Sequence, residues 1–388
     1  MKRLFSLVVI STLLFNSQAL AATKKPVVKP LKLITTVSSL DEFAGLVTSG
    51  KTIVVYGNKG DKSFAKGMDV TGKELWRIDL DNASPSVASA ATVDSTGTIW
   101  IAGSTSLQRA TPTPLPSLSP LNPDNITVIP DIFTTDLDAF TLWSIDPNSQ
   151  ALAQYSLQLA SPILINAITV NKTALTAVGS SGAVISADLS GKISKPKFIG
   201  TSATNFEAVV KAADGSMTVV GSSSETLSGK KLAGKVDGVI VKISKVGKVI
   251  SVVRSSAPKA LRNWSSASTS ILLGGEVITG TKAESAITKF SNSYLPTWTY
   301  RFASNGKTFI SGSTYAFFQS KGALTQLANW LPKAPTPLLL TFDAKGAITG
   351  GYSAPIEQID VLGLYLSKDF GIMCISASAD TVSIFTLN

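Results

Sequence analysis

Phe206 to Ser255 reads FEAVVKAADGSMTVVGSSSETLSGKKLAGKVDGVIVKISKVGKVISVVRS, and it decides the fold. Four short apolar runs lie inside it: FEAVV, MTVVG, GVIVKI and VISVV. They are parted by Ala213-Asp214-Gly215, by a long polar loop, and by Lys245-Val246-Gly247. Val- and Ile-rich runs separated by turn residues predict antiparallel strands. Four strands joined in this way predict one twisted sheet.

Weaker copies recur along the chain. IVVYGN starts at Ile53, IWIAGS at Ile99, LTAVGS at Leu175, MTVVGS at Met217, SILLGG at Ser270, TFISGS at Thr308 and GIMCIS at Gly371. Gly57, Gly103, Gly179, Gly221 and Gly275 mark the first five copies, at spacings of 46, 76, 42 and 54. The long spacing contains a Pro-rich insert, ATPTPLPSLSPLNP, within residues 107–135. A second element leads into a further strand each time: VTGKELWRI at Val70, LSGKISKPKF at Leu189, KVGKVISVV at Lys245, NSYLPTWTYRF at Asn292 and AKGAITGGY at Ala344. Four-stranded units repeating every 40 to 50 residues or so predict a β-propeller.

The expected architecture is all-β, a single propeller of about seven four-stranded blades, with six or eight left open. The blades fall near 40–82, 83–160, 161–203, 204–257, 258–304, 305–355 and 356–388. The last offers three strands, DVLGLYLS, FGIMCIS and TVSIFTLN, before the chain stops. An unmatched strand, LKLITTV at Leu31 to Val37, precedes the first blade. Pairing it beside Thr381 to Leu387 closes the ring and removes an exposed sheet edge.

Composition narrows the chemistry. The 388 residues contain no histidine and one cysteine, Cys374. His-based triads, His general bases and His-ligated metals are excluded, as is an internal disulfide. Cys374 lies in FGIMCIS and is read as a small buried hydrophobe. Lys2 and Arg3, the 12-residue apolar run Leu4 to Phe15, and Ala19-Leu20-Ala21 read as a signal peptide over residues 1–21. Twelve residues fall short of a bilayer core of about 30 Å. Its removal takes the formal charge from +10 to +8. Residues 22–30 read as a basic linker and 31–388 as the propeller. The product is expected to be extracellular, periplasmic or wall-associated, monomeric, and without a transmembrane helix.

Strand direction alternates within a blade, so first-to-second and third-to-fourth turns share one face. These are short. The long segments, Leu107 to Thr135, Ser222 to Lys235 and about Lys321 to Pro337, belong to the other face, where loops on a rigid scaffold would bind a partner. Lys230, Lys231 and Lys235, together with Trp330 in ANWLPKAP, form the expected binding surface there. Its partner is an envelope protein or an anionic wall polymer. Lys24, Lys25, Lys29 and Lys32 form a second basic cluster. Nucleic acid is not expected, because no basic-aromatic motif is present.

Carboxylates are the only acid/base candidates. The closest pairs, Asp41/Glu42, Asp79/Asp81 and Asp136/Asp138, are adjacent in sequence, which does not bring two carboxyls across a substrate. Asp138, Asp237, Glu284 and Asp380 each precede a third strand, a position that suits turn capping. No D-x-[DN]-x-[DN]-G loop is present. No catalytic residue, metal site or cofactor is therefore assigned. The alternative is a carbohydrate-active or quinone-dependent enzyme at the central channel mouth. Its mark would be two acids, or an acid and a lysine, within about 10 Å. A third reading is cell-surface adhesion through the Pro-rich loops.

The pattern DGSMTVVGSSS…DGVIVKISKVGKVIS resembles the blade repeat of secreted bacterial β-propeller-repeat proteins, within a quinoprotein-like propeller superfamily. Asp69-Val70-Thr71-Gly72-Lys73-Glu74-Leu75-Trp76 resembles the tryptophan-docking motif of quinoprotein dehydrogenases. That likeness implies that Trp76 packs one blade on the next and does not touch a cofactor.

Overall fold

The computed structural model describes residues 25–81, 84–107 and 137–387. Apart from one 3-10 turn at Ser180–Gly182, every regular element among them is a strand. No helix in this part is long and apolar enough to cross a membrane. The signal segment and nearly all of the Pro-rich insert lie outside the described residues.

Four four-stranded sheets follow one another over residues 43–79, 86–158, 165–198 and 204–255. A fifth joins Asp360–Ser367, Gly371–Ala377 and Thr381–Thr386 to Lys32–Ser39 from the other end of the chain. The first strands of successive sheets lie side by side, and that of the last, Asp360–Ser367, returns to Phe43–Ser49. The chain is a β-propeller with five separate four-stranded blades.

The remaining strands correct the expectation of seven separate sheets. The fifth and sixth units of the repeat form one eight-stranded sheet. Pro296–Ser311 runs for 16 residues without a break. It pairs with Lys282–Phe290 as far as Ala303, and with Tyr315–Ser320 from Ser304 onward. Asn305-Gly306-Lys307 are taken up as a bulge between Ser304 and Thr308, not as a turn, so the strand passes through. The TFISGS copy was also misplaced. Gly312 lies in a turn, and the second strand of this unit is Tyr315–Ser320.

The closing strand is where the repeat puts it. Lys32–Ser39 runs antiparallel to Thr381–Thr386, with Lys32 opposite Thr386 and Ser39 opposite Thr381. Residues read as linker are also paired. Val28–Pro30 lies parallel to Ile348–Ser353, covering the edge of the eight-stranded sheet before the chain crosses at the buried Leu31. The N-terminal segment thus ties two neighbouring sheets together.

Apolar clusters sit between neighbouring sheets. Val47, Tyr56, Leu80, Ile99 and Trp143 join the first to the second, and Trp76 packs on that cluster. Val178, Phe206, Val219 and Val241 join the third to the fourth. The two halves of the eight-stranded sheet fold onto each other through Ile287, Phe302, Ile310 and Phe318, with Phe302 and Phe318 stacked 5.4 Å apart. Cys374 is buried, and burial pushes its thiol pKa up.

The glycine repeat has a steric cause. In the fourth sheet the innermost strand bulges between Phe206 and Ala208, opposite Gly221. The bulge drives the Asn205 carbonyl against the second strand, so a Cβ on Gly221 would lie 2.0 Å from that oxygen. Gly57, Gly103, Gly179 and Gly275 each meet a carbonyl in the same way, at 1.8 to 2.0 Å. The bulges set one extra residue of each inner strand toward the ring interior. Gly221→Ala should therefore lower stability by about 3 kcal/mol, the upper end of overpacking costs. A urea unfolding midpoint unchanged from wild type would show that the bulge relaxes freely.

Candidate functional site

The expected surface residues are placed but not gathered into a hollow. Lys230, Lys231 and Lys235 are exposed on the loop between Met217–Ser223 and Asp237–Ile243. That loop is pinned from beneath. Arg254 donates to the buried Asp237 at 3.2 Å, to the Lys230 carbonyl at 3.0 Å and to the Glu225 carbonyl. Asp237 also accepts the Ala233 and Gly234 amides at 2.9 and 2.8 Å, the capping role read from sequence. Asp138 plays the same part, accepting the Leu107 amide at 3.0 Å.

Trp330 corrects an expectation. It is half-buried, donates its indole N–H to Ser320 Oγ at 3.0 Å and packs on the core of the eight-stranded sheet, so it is no exposed anchor. None of these four residues lines the hollows described next.

The best-formed hollow lies on the opposite, short-turn face, between the third and fourth sheets. It arises where the repeat lapses. The outer strand of the third sheet is only Lys197–Phe198. After the Ala187–Ile193 bridge and a 2.8 Å bond from the Ser194 amide to the Ser186 carbonyl, the chain leaves the ladder through Pro196, which has no N–H to give. It rejoins at Val184–Lys197.

The resulting cavity has a volume of about 470 Å³. Lys195, Lys197, Lys211 and Lys245 line it with Thr176, Ser186 and Ser194, and no carboxylate is among the lining residues. Phe198 and Val246 form a rim and are 56% and 74% exposed. A Cβ on Gly247 would lie 2.6 Å from Lys197 Nζ, so this turn admits the lysine only because it carries glycine. Lys211 ends the inner strand Thr204–Lys211, and its Nζ donates to the Ala174 carbonyl at 2.9 Å. Burial lowers its pKa to about 8.

A second hollow of about 610 Å³ adjoins the first and shares Asn171, Thr173, Lys211 and Gly215 with it. It is formed by the first-to-second turns of the second, third and fourth sheets, and adds Lys172 and Asp214. Asp214 is held by its own turn. It accepts Ser216 Oγ at 2.6 Å and the Ser216 amide at 2.9 Å, and the hydroxyl bond in particular keeps its carboxyl below the usual range. Excess positive charge in a partly desolvated cleft attracts anions.

The ring interior holds a different polar chain, built on bulge residues of three inner strands. Asn166 donates to Asn205 Oδ1 at 3.0 Å, Asn205 to Glu207 Oε1 at 2.6 Å, and Lys307 pairs with Glu207 at 3.7 Å. The acid-and-lysine distance expected of an enzyme is met by Glu207 and Lys307. The two are engaged with each other and with Asn205, which leaves no free acid/base at that point. Among the described residues, no three Cys, Asp or Glu side chains gather as metal ligands would. No family model matches the chain, and no curated protein matches it.

Neither site was visible in the sequence. Lys172, Lys195, Lys197, Lys211 and Lys245 are scattered over three β-meander turns and two strand ends, and only the prolonged SGKISKPKF segment hinted at an irregular outer strand. Lys211 gives a test of the cavity's environment. Its folded pKa near 8 lies below its ordinary 10.5. Between those values the unfolded chain holds the proton and the folded chain does not, so this group favours folding as pH rises. Urea midpoints at about pH 7.5 and about pH 10 should show wild type gaining on Lys211→Met over that window. Parallel curves for the two proteins would mean that Lys211 is not desolvated.

Proposed function

We propose that this protein is an exported, non-catalytic β-propeller that binds an anionic ligand of the cell envelope, with the lysine-lined cavity between its third and fourth sheets as the ligand site. One observation carries the reading: four lysines and no carboxylate line a cavity of about 470 Å³, and one of those lysines is already partly desolvated. An anion entering it gains four cationic partners without displacing an internal counter-charge. The propeller fold suits a rigid binding or scaffold module, although fold alone does not define function. The basic, apolar and small-residue order of residues 1–21 supports export.

We count seven blades. The two halves of the eight-stranded sheet pack face to face through Ile287, Phe302, Ile310 and Phe318, as separate blades would. Lys230, Lys231 and Lys235 are a secondary basic surface on the other face. The mature chain, from residue 22, acts as a monomer.

A second reading has its own observation. Glu207 and Lys307 meet inside the ring, where a propeller enzyme would place its acid and base. The closed ion pair favours a structural bridge between inner strands, and the binding reading is preferred for that reason.

Capture of the mature chain on envelope fractions tests the proposal. Binding should weaken steeply between low and high salt, since exposed charges are screened within about 10 Å at 0.1 M. Lys197→Gln with Lys245→Gln should reduce capture at least tenfold, and the exported chain should begin at Ala22. Capture insensitive to salt and to both substitutions would overturn the cavity as the site. Retention of the intact chain in the cytoplasm would overturn export.

A further inference from the structure

We propose that the ligand is a linear, hydroxyl-bearing polyanion, an acidic glycan or a polyol phosphate, lying through the cavity and across Lys211 into the channel-mouth hollow. This rests on the anion reading above and specifies its ligand class. The two hollows are not separate pockets, because Asn171, Thr173, Lys211 and Gly215 wall both. Each alone falls in the range of about 300–1,000 Å³ that accommodates a drug-sized molecule. A single small anion would occupy one of them and leave the cations of the other unmatched.

The positive charges are spread along the path. Lys195, Lys197 and Lys245 stand in the cavity, Lys211 at the divide and Lys172 in the mouth. A third hollow of about 330 Å³ continues from Lys245 to Lys242. Along the first two, hydroxyls and an amide stand between the cations: Thr173, Thr176, Ser186, Ser194 and Asn171. Lysines paired with repeating anionic groups, and hydroxyls with the hydroxyls between them, match a charged sugar or polyol chain unit by unit. Phe198, at the rim, offers an apolar face of the kind sugar rings pack on. Asp214, the one carboxylate on the path, is tied to Ser216 and does not compete for these lysines. Successive units bound by one chain act as linked sites, so affinity rises with length beyond the statistical factor.

The experiment is calorimetric titration of the mature chain with two length series at low salt: galacturonate monomer, dimer and hexamer, and glycerol phosphate monomer, dimer and hexamer. In at least one series the hexamer should bind tenfold or more tighter than the monomer, and the series that shows the rise identifies the source. Lys172→Gln, at the far end of the path, should narrow that hexamer-to-monomer ratio several-fold. Lys197→Gln should weaken monomer and hexamer alike. Monomers that bind as tightly as hexamers in both series, or a ratio untouched by Lys172→Gln, would overturn the polymer inference and leave the anion site standing. Wild-type protein that binds no member of either series would overturn both. Unchanged far-UV circular dichroism in each variant confirms that the fold is kept.

Discussion

The pairing of Lys32–Ser39 with Thr381–Thr386 is the interaction on which the rest of the structure depends. Each sheet is apolar on its faces and is buried only when a neighbour covers it on either side. A ring satisfies every sheet at once, but only if its two ends meet. Val37 from the N-terminal strand and Met373, Val382 and Ile384 from the C-terminal strands share one cluster with Leu46 and Ile53 of the first sheet. The closing strand thus completes a sheet and also supplies part of the contact between last and first. Val28–Pro30 reinforces it by holding the same segment to the neighbouring sheet.

Regularity elsewhere is maintained by two local devices. On the inner strands a bulge meets a glycine, and the absence of a Cβ permits a carbonyl to approach the second strand. On the outer side, an acidic or hydroxyl side chain ties the turn into the last strand. Asp69 accepts the Thr71 and Lys73 amides at 2.8 and 3.1 Å, and Asp188 accepts those of Ser190 and Lys192 at 2.9 and 3.0 Å. Many of the chain's carboxylates are used in this way, which is why the short-turn face is rich in lysine charge that its acids do not offset. The cavity lies where the outer device fails to produce a full strand, at Lys197–Phe198. A lapse in an otherwise consistent repeat is where a functional site is expected.

Much of the fold was legible. The glycine steps marked second strands in the first five units because the bulge excludes every larger residue there. The sixth unit was blurred for the same reason. Its second strand carries Gln319 in place of glycine, while Gly312, in a turn, imitated the signal. The boundary between the fifth and sixth units was read as a break because Asn305-Gly306 is turn-like chemistry, whereas tertiary pairing on both sides drew it into one strand. The tryptophan reading held for Trp76, which packs between sheets, and failed for Trp330, whose exposure depended on how far its loop folds back onto Leu324 and Leu327.

The sequence by itself determined the strands, the turns and the pairing of the chain's ends, because alternation, turn residues and a missing strand act over short distances or by simple count. Tertiary structure alone decided where binding chemistry collects. Lys172, Lys195, Lys211 and Lys245 lie on different strands and turns, and no spacing rule relates them. They converge because two sheets pack side by side while one of them lacks most of its outer strand. The partly desolvated amine of Lys211 follows from the same packing, since burial is a property of the assembled ring and not of the residue.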